Sequence, residues 1–374
     1  MKKMLSLAAM FAVLAYASPA SAELKLSGDA SMRLRGQFED TEVNDNATTN
    51  TDDLNFAYRL RLKAAADLGN GYFVKALLTT DTTNNLGLSA GGWNTVTGGE
   101  DAELDISQLY FGRMQENCHW MVGRLPLNSV NNPIFDLTLY PIVYGIGSGS
   151  PVGLADTAVA TYNMDRVYGL NYGGKLGSGE ANATLVVFDN NMRGDHAGEG
   201  NGIFNDGYAL HLSYKDKLGE VTVEPQAIIS LTNLDGLVYQ GITPNTFGLN
   251  MTVPAGDAKI GMSALYTACD DTSDAGEEVD YSGYLLRLKG EVGNFLAWVD
   301  YNQTSDKTDG KDDDYDNLFV WAQYKFNVYE SAAGSFSLTP TVRYWAAGYE
   351  DNDGNSADVD YSRLRTELVA TVTF

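Results

Sequence analysis

The 374-residue chain is poor in cysteine, histidine and basic residues. It has three histidines, His119, His196 and His211, and its one Gly-x-Ser-x-Gly match, Gly87 to Gly91, lies in a Gly-rich loop with no strand-to-helix pattern around it to make a nucleophile elbow. That argues against an enzyme built on a paired serine and histidine, and no enzymatic activity is expected. Against 49 acidic residues stand 25 basic ones, a formal charge of −24, which argues against nucleic acid as a partner. Beyond the amino terminus there is no run of about 18 apolar residues, so no transmembrane helix is expected. The two cysteines, Cys118 and Cys269, fall at opposite ends of the strand map developed below, so two free thiols are expected.

The chain does have a leader. Lys2 and Lys3 precede an apolar run from Met4 to Tyr16, followed by Ala20-Ser21-Ala22. This is the layout of a secretory signal peptide over 1–22, leaving a single unit at 23–374.

The next segment alternates strictly. Leu24, Leu26, Gly28, Ala30, Met32, Leu34, Gly36 and Phe38 share one phase, and Lys25, Ser27, Asp29, Ser31, Arg33, Arg35 and Gln37 share the other. In a strand these phases lie on opposite faces. The end of the chain repeats the pattern, with Leu364, Leu368, Val372 and Phe374 against Arg363, Arg365 and Glu367. Such segments recur about sixteen times, near 24–38, 54–67, 119–124, 315–327 and 336–347 among others, each wet on one face and oily on the other. Short turns rich in Gly, Asn and Asp alternate with long acidic loops at Glu39–Asp53, Asp270–Asp280, Asp306–Asp316 and Glu350–Asp360. Lipid satisfies no open sheet edge, so the pattern implies an all-β, closed transmembrane antiparallel barrel. Strand length and the leader weigh against a soluble sandwich. The acidic runs Asp312-Asp313-Asp314 and Asp351-Asn352-Asp353-Gly354 lack the ligand spacing of a calcium loop and read as solvated. No metal or cofactor is expected.

One connection differs from the rest. Between Arg124 and Arg166 there is no basic residue, and Asp136, Asp156 and Asp165 are its acids. It is rich in Ile, Leu, Val, Tyr and Pro, and a long hydrophobic loop must pack against something. The barrel lumen is the available place.

The leader, the terminal Phe374, the Gly123-Arg124 pair entering the long third loop and the strand count together resemble the Gram-negative trimeric porins of the sixteen-stranded general-diffusion type. The resemblance implies an outer-membrane homotrimer among lipid and lipopolysaccharide, passing ions and small hydrophilic solutes. It also implies a third loop folded inward with its acids, here Asp136 and Asp156, facing an arginine wall, and Phe374 as a membrane-terminal signal. The residues supply such a wall independently: Arg33 and Arg35 on the first strand, Arg59, Arg61 and Lys63 on the second, Lys75 on the third, and Arg363 and Arg365 on the last, which closure places beside the first. Arg124 is counted with this wall. Lys25 and Lys75 are expected lower, and Arg287, Lys289, Lys325 and Arg343 farther round.

Two alternatives remain open. One is a substrate-selective porin, either an anion channel using the arginine wall or a saccharide channel lined by Trp298, Trp321 and Trp345. The other is an adhesive or structural barrel. The Gly-rich loop 82–101, carrying Trp93, resembles the loop that latches onto a neighbour in trimeric porins.

Overall fold

The computed structural model describes residues 24–44, 47–80, 93–95, 104–127, 130–148, 151, 166–188, 207–234 and 238–374. They form a closed barrel of sixteen antiparallel strands with almost no helix. Each strand pairs with its sequence neighbour, and the first (Leu24–Val43) also pairs with the last (Val359–Thr373) in the register Asp29 to Thr373 and Leu34 to Leu368. At the seam the Gly28 and Phe374 backbones exchange hydrogen bonds of 2.8 and 3.0 Å. A Cβ at Gly28 would stand 2.7 Å from the Phe374 ring, so the glycine makes room for the terminal aromatic.

The phases sort as the alternation requires. Leu26, Met32, Leu34 and Phe38 are exposed on the outer wall, while Asp29, Ser31 and Arg33 are buried on the inner one. At the end where the short turns lie, Trp120 packs edge-on against Tyr72 and Phe111, ring centroids 6.4 and 6.1 Å away, as an interfacial aromatic belt should. Gly219 and Gly293 take φ of 65° and 55° in two of these turns.

The first two strands run past the expected boundaries. Leu24–Val43 and Ala47–Gly69 have 20 and 23 residues, so the acidic stretch expected as a loop is a paired hairpin with Val43 opposite Ala47. Hydrophobic alternation stops where lipid stops, but the backbone ladder does not need lipid to continue. The fourteenth strand, by contrast, is split at Lys325 into Asp313–Tyr324 and Phe326–Ser331. Pro340 of the fifteenth (Gly334–Asp351) lies beside this break, between the partners of Gln323 and Phe326. A proline has no N–H for a ladder, and here the ladder is interrupted. Cys118 and Cys269 are both free thiols, at the turn end of the fifth strand (Cys118–Pro126) and the loop end of the eleventh (Ala258–Thr272).

The interior packing comes from the third loop. Its short helix α1 (Ile134–Leu139) is buried at all six positions against the ninth to twelfth strands, Val221–Ser230 to Glu278–Val292. The loop then turns at Ile146–Ser148 against the last two strands.

Candidate functional site

Side chains opposite one another on paired strands share a face, so the register tests the expected wall directly. Ser31 faces Arg59, Asp29 faces Arg61, and Ser27 faces Lys63. Across the seam Arg35 faces Glu367, Gln37 faces Arg365, and Glu39 faces Arg363; on the next strand Arg343 faces Arg365. Seven arginines (33, 35, 59, 61, 343, 363 and 365) thus share one inner patch. Lys63 and Lys75 also share the inward phase but lie nearer the turn end, Lys75 opposite Ala65 in the same row as Lys25.

Among the described residues the ion pairs of this patch use three carboxylates. Glu367, its side chain fully buried, bonds Arg35 directly, lies 2.7 Å from Arg343 and 3.8 Å from Arg33. Asp29 is 2.9 Å from Arg61, and Glu39 is 4.0 Å from Arg363. Nε of Arg33 and Nε and Nη1 of Arg343 are buried with no hydrogen-bond partner among the described residues. The patch therefore holds buried, partly unsatisfied positive charge, an arrangement suited to passing anions.

Arg124 does not belong to it. It pairs with Leu109 and Tyr168, on the phase of the exposed Leu170 and Tyr172, so it lies on the outer wall. There its guanidinium stacks 4.9 Å from the Tyr168 ring and donates to the Ile106 carbonyl. Gly123 takes the inward phase instead. Its φ of 127° and the Leu109 oxygen 2.3 Å from a would-be Cβ explain the glycine.

Asp136 does not face the arginines either. It sits on α1, wholly buried, with neither carboxylate oxygen hydrogen-bonded among the described residues. Burial pushes its carboxyl well above the ordinary range; Arg287 opposes the shift and Asp300 reinforces it. The carboxyl is packed into the loop's seat, where burial favours its protonated form. Asp156 lies outside the described residues.

That seat is built from polar clamps. Arg287 makes a bidentate pair with Asp300 at 2.6 and 2.8 Å and donates to the Val130 carbonyl at 2.9 Å. Asn132 and Gln226 exchange amide hydrogen bonds of 2.8 and 2.9 Å, and Thr138 bonds Thr246 at 2.8 Å. His211 packs against the Phe135 ring and bonds Gln226, so it is part of the seat. Trp298, Trp321 and Trp345 are 1%, 3% and 1% exposed within the same cluster, so they do not line the pore as a saccharide track. Trp93, expected on a loop reaching a neighbour, lies 4.3 Å from Arg33 and 4.7 Å from Arg59 of its own barrel; most of its loop falls outside the described residues. No sequence signal pointed to this placement.

Because the raised Asp136 group is more protonated in the folded state, its contribution to stability is complete below the unfolded carboxyl value of about 4 and falls as pH rises toward the folded value. Asp136→Asn should abolish that loss. The variant should outlast the wild type in heat unfolding at pH 8 and match it near pH 3, read from heat-shifted gel mobility. A variant weaker than the wild type at pH 8 would mean the carboxylate is charged and paired.

A family model described as Gram-negative porin matches residues 7–329. No curated protein sequence matches the chain. Among solved structures, the anion-selective porin from Comamonas acidovorans superposes with a TM-score of 0.56 at 12% identity, covering 95% of this chain and all of the other. The outer membrane channel DcaP of Acinetobacter baumannii gives 0.56 at 14%, covering 96% of this chain and 99% of that one. Outer-membrane expressed OmpT of Vibrio cholerae gives 0.51 at 11%, covering 96% and 99%. At these identities the likeness is one of fold.

Proposed function

The chain belongs to the Gram-negative porins, and on that premise we propose that its arginine wall gives the pore a preference for small anions. The protein is a passive diffusion channel of the bacterial outer membrane. Its proposed sorting surface is the patch of Arg33, Arg35, Arg59, Arg61, Arg343, Arg363 and Arg365, across the lumen from the strands on which α1 of the third loop is seated. The observation that carries the reading is the buried excess of guanidinium over carboxylate in that patch among the described residues. In a low-dielectric wall such charges focus a field across the channel. The acidic outer hairpins oppose this by drawing cations, but exposed charges separated from the waist by more than about 8 Å are largely screened at physiological salt. The structurally similar porin from Comamonas acidovorans is anion-selective, which agrees with the reading.

Reversal potential across a planar bilayer under a KCl gradient is the test. The wild type should prefer chloride, and Arg35→Ala with Arg59→Ala should bring the preference close to unity. A cation-preferring wild type would overturn the reading.

The assembly is proposed to be a homotrimer in a shell of lipid and lipopolysaccharide, with residues 1–22 removed as a leader. A one-chain mass for the unheated protein in detergent would remove the trimer.

A further inference from the structure

We propose that Trp93 is a specificity-determining positioning residue of the pore, its indole holding the guanidinium groups of Arg33 and Arg59 in place on the wall so that their positive charge acts on passing anions. This rests on the anion-preferring reading above.

The indole is shared by two cations. The Cζ atoms of Arg33 and Arg59 lie 4.3 and 4.7 Å from its ring centroid, inside the range of about 6 Å over which a ring face attracts a cation. The two arginines come from diagonal positions on adjacent strands, Arg59 opposite Ser31 and Arg33 opposite Ala57. Ala57 is small and fully buried. The backbone beside Trp93 is fixed as well. The third strand (Tyr72–Thr79) ends short, and Asn94 and Thr95 take over the pairing with Tyr58 and Ala57 of the second. Trp93 is therefore delivered to the wall by a sheet extension.

The consequence follows from guanidinium chemistry. A guanidinium keeps its charge at any working pH, and a ring attracts that charge without offsetting it as a carboxylate would. Arg33 illustrates what the ring prevents. Its Nε stops 3.8 Å from Glu367 Oε1, beyond hydrogen-bond reach, while Arg35 bonds that same oxygen directly. That Nε is buried and has no hydrogen-bond partner among the described residues. Released from the indole, Arg33 would close the remaining gap, and Glu367 would offset more of its charge than it does at 3.8 Å.

The same device recurs farther round the wall. Arg343 lies 3.7 Å from the Trp321 centroid, and Arg363 4.7 Å from that of Trp345. Four of the patch's seven arginines thus rest on indoles. Trp321 and Trp345 are also buried members of the packed interior, so replacing them would empty a core. Trp93 is only half-buried and lies outside that core, so its substitution reports on the wall.

The experiment compares Trp93→Ala, Trp93→Leu and Trp93→Phe with the wild type, each first verified as a folded barrel by heat-shifted mobility. Reversal potential and conductance step are then read in planar bilayers under a KCl gradient. The chloride-to-potassium permeability ratio should fall about twofold or more in the alanine and leucine variants and stay near wild type in the phenylalanine variant, which keeps a π face. Leucine supplies bulk without that face, so a ratio retained by leucine and lost by alanine would overturn the proposal in favour of space filling. An unchanged ratio in alanine, with a larger step or a loss of assembly mass, would overturn it in favour of a plug or an intersubunit latch. A wild type that does not prefer chloride would overturn the anion reading itself, a result separable from these.

Discussion

Glu367→Gln should cost the folded barrel on the order of 3–5 kcal/mol, the penalty for removing one partner from a buried ionic cluster. The magnitude follows from what the carboxylate holds. Its side chain is fully buried, it bonds Arg35, and it lies 2.7 Å from Arg343 and 3.8 Å from Arg33. Glutamine fills the same volume but leaves three guanidinium groups crowded on one wall with no charge between them. The loss is expected as a large fall in the midpoint of denaturant unfolding in detergent. Glu367→Asp, which keeps the charge one methylene shorter, should recover part of it. Whatever Glu367→Gln protein folds should prefer chloride more strongly than the wild type. A midpoint unchanged by Glu367→Gln would mean that lumen water already solvates these arginines and that the carboxylate is dispensable.

Arg287→Ala should be comparably damaging, but its effect should appear in the pore. Arg287 closes a bidentate pair with Asp300, both side chains 2% exposed, and clamps the start of the third loop through the Val130 carbonyl. Without it Asp300 is left buried close to Asp136, and the two acids repel whenever both are charged. Truncating one partner of such a pair costs about 3–5 kcal/mol. Since the loop is held inside by this and a few other clamps, part of that cost should be met by detachment of the loop. Conductance steps should become larger and noisier, and the 127–166 segment should become cleavable by added protease. Replacing both partners together, Arg287→Met with Asp300→Leu, should restore much of the stability, because a buried pair can be exchanged for apolar packing at little cost. A protease-resistant loop and unchanged steps in Arg287→Ala would show that α1 is seated by its apolar face alone.

Much of the fold and part of the site were legible in the sequence, and particular residues show where legibility ended. In Leu24–Phe38 charge and hydrocarbon alternate without exception, so the inward phase of Arg33 and Arg35 follows from strand geometry alone. The same holds for Arg59 and Arg61, and for Arg363 and Arg365, because each arginine pair is interleaved with leucine. Arg124 failed for the converse reason. In Cys118–Pro126 both phases carry large apolar residues, Met121 and Leu125 on one and Trp120 and Val122 on the other, because the inner face here is covered by the third loop. A strand buried on both sides gives no sign of which phase is wet.

Asp136 failed differently. Its helix has six residues, too few for a hydrophobic face to be read from spacing, and an acid in a lumen loop looks like a pore acid. The rise of its carboxyl comes first from burial against strands distant in the chain, with Asp300 adding to it and Arg287 opposing it. Trp93 carried no legible signal, since a lone tryptophan among glycines has no periodic context.

What the sequence determined by itself was the barrel: the strand number, which end carries the short turns, and which side of most strands is wet. Each of these follows from alternation, a property of neighbouring residues, because lipid and water act on each strand separately. What only the tertiary structure decided was what covers the inner wall. The seat of the third loop, the burial of Asp136 and the three tryptophans, the outward turn of Arg124 and the indole between Arg33 and Arg59 all depend on contacts between segments distant in the chain. Such contacts are set by the closure of the sheet and by the free energy of filling its interior, and neither leaves a local pattern.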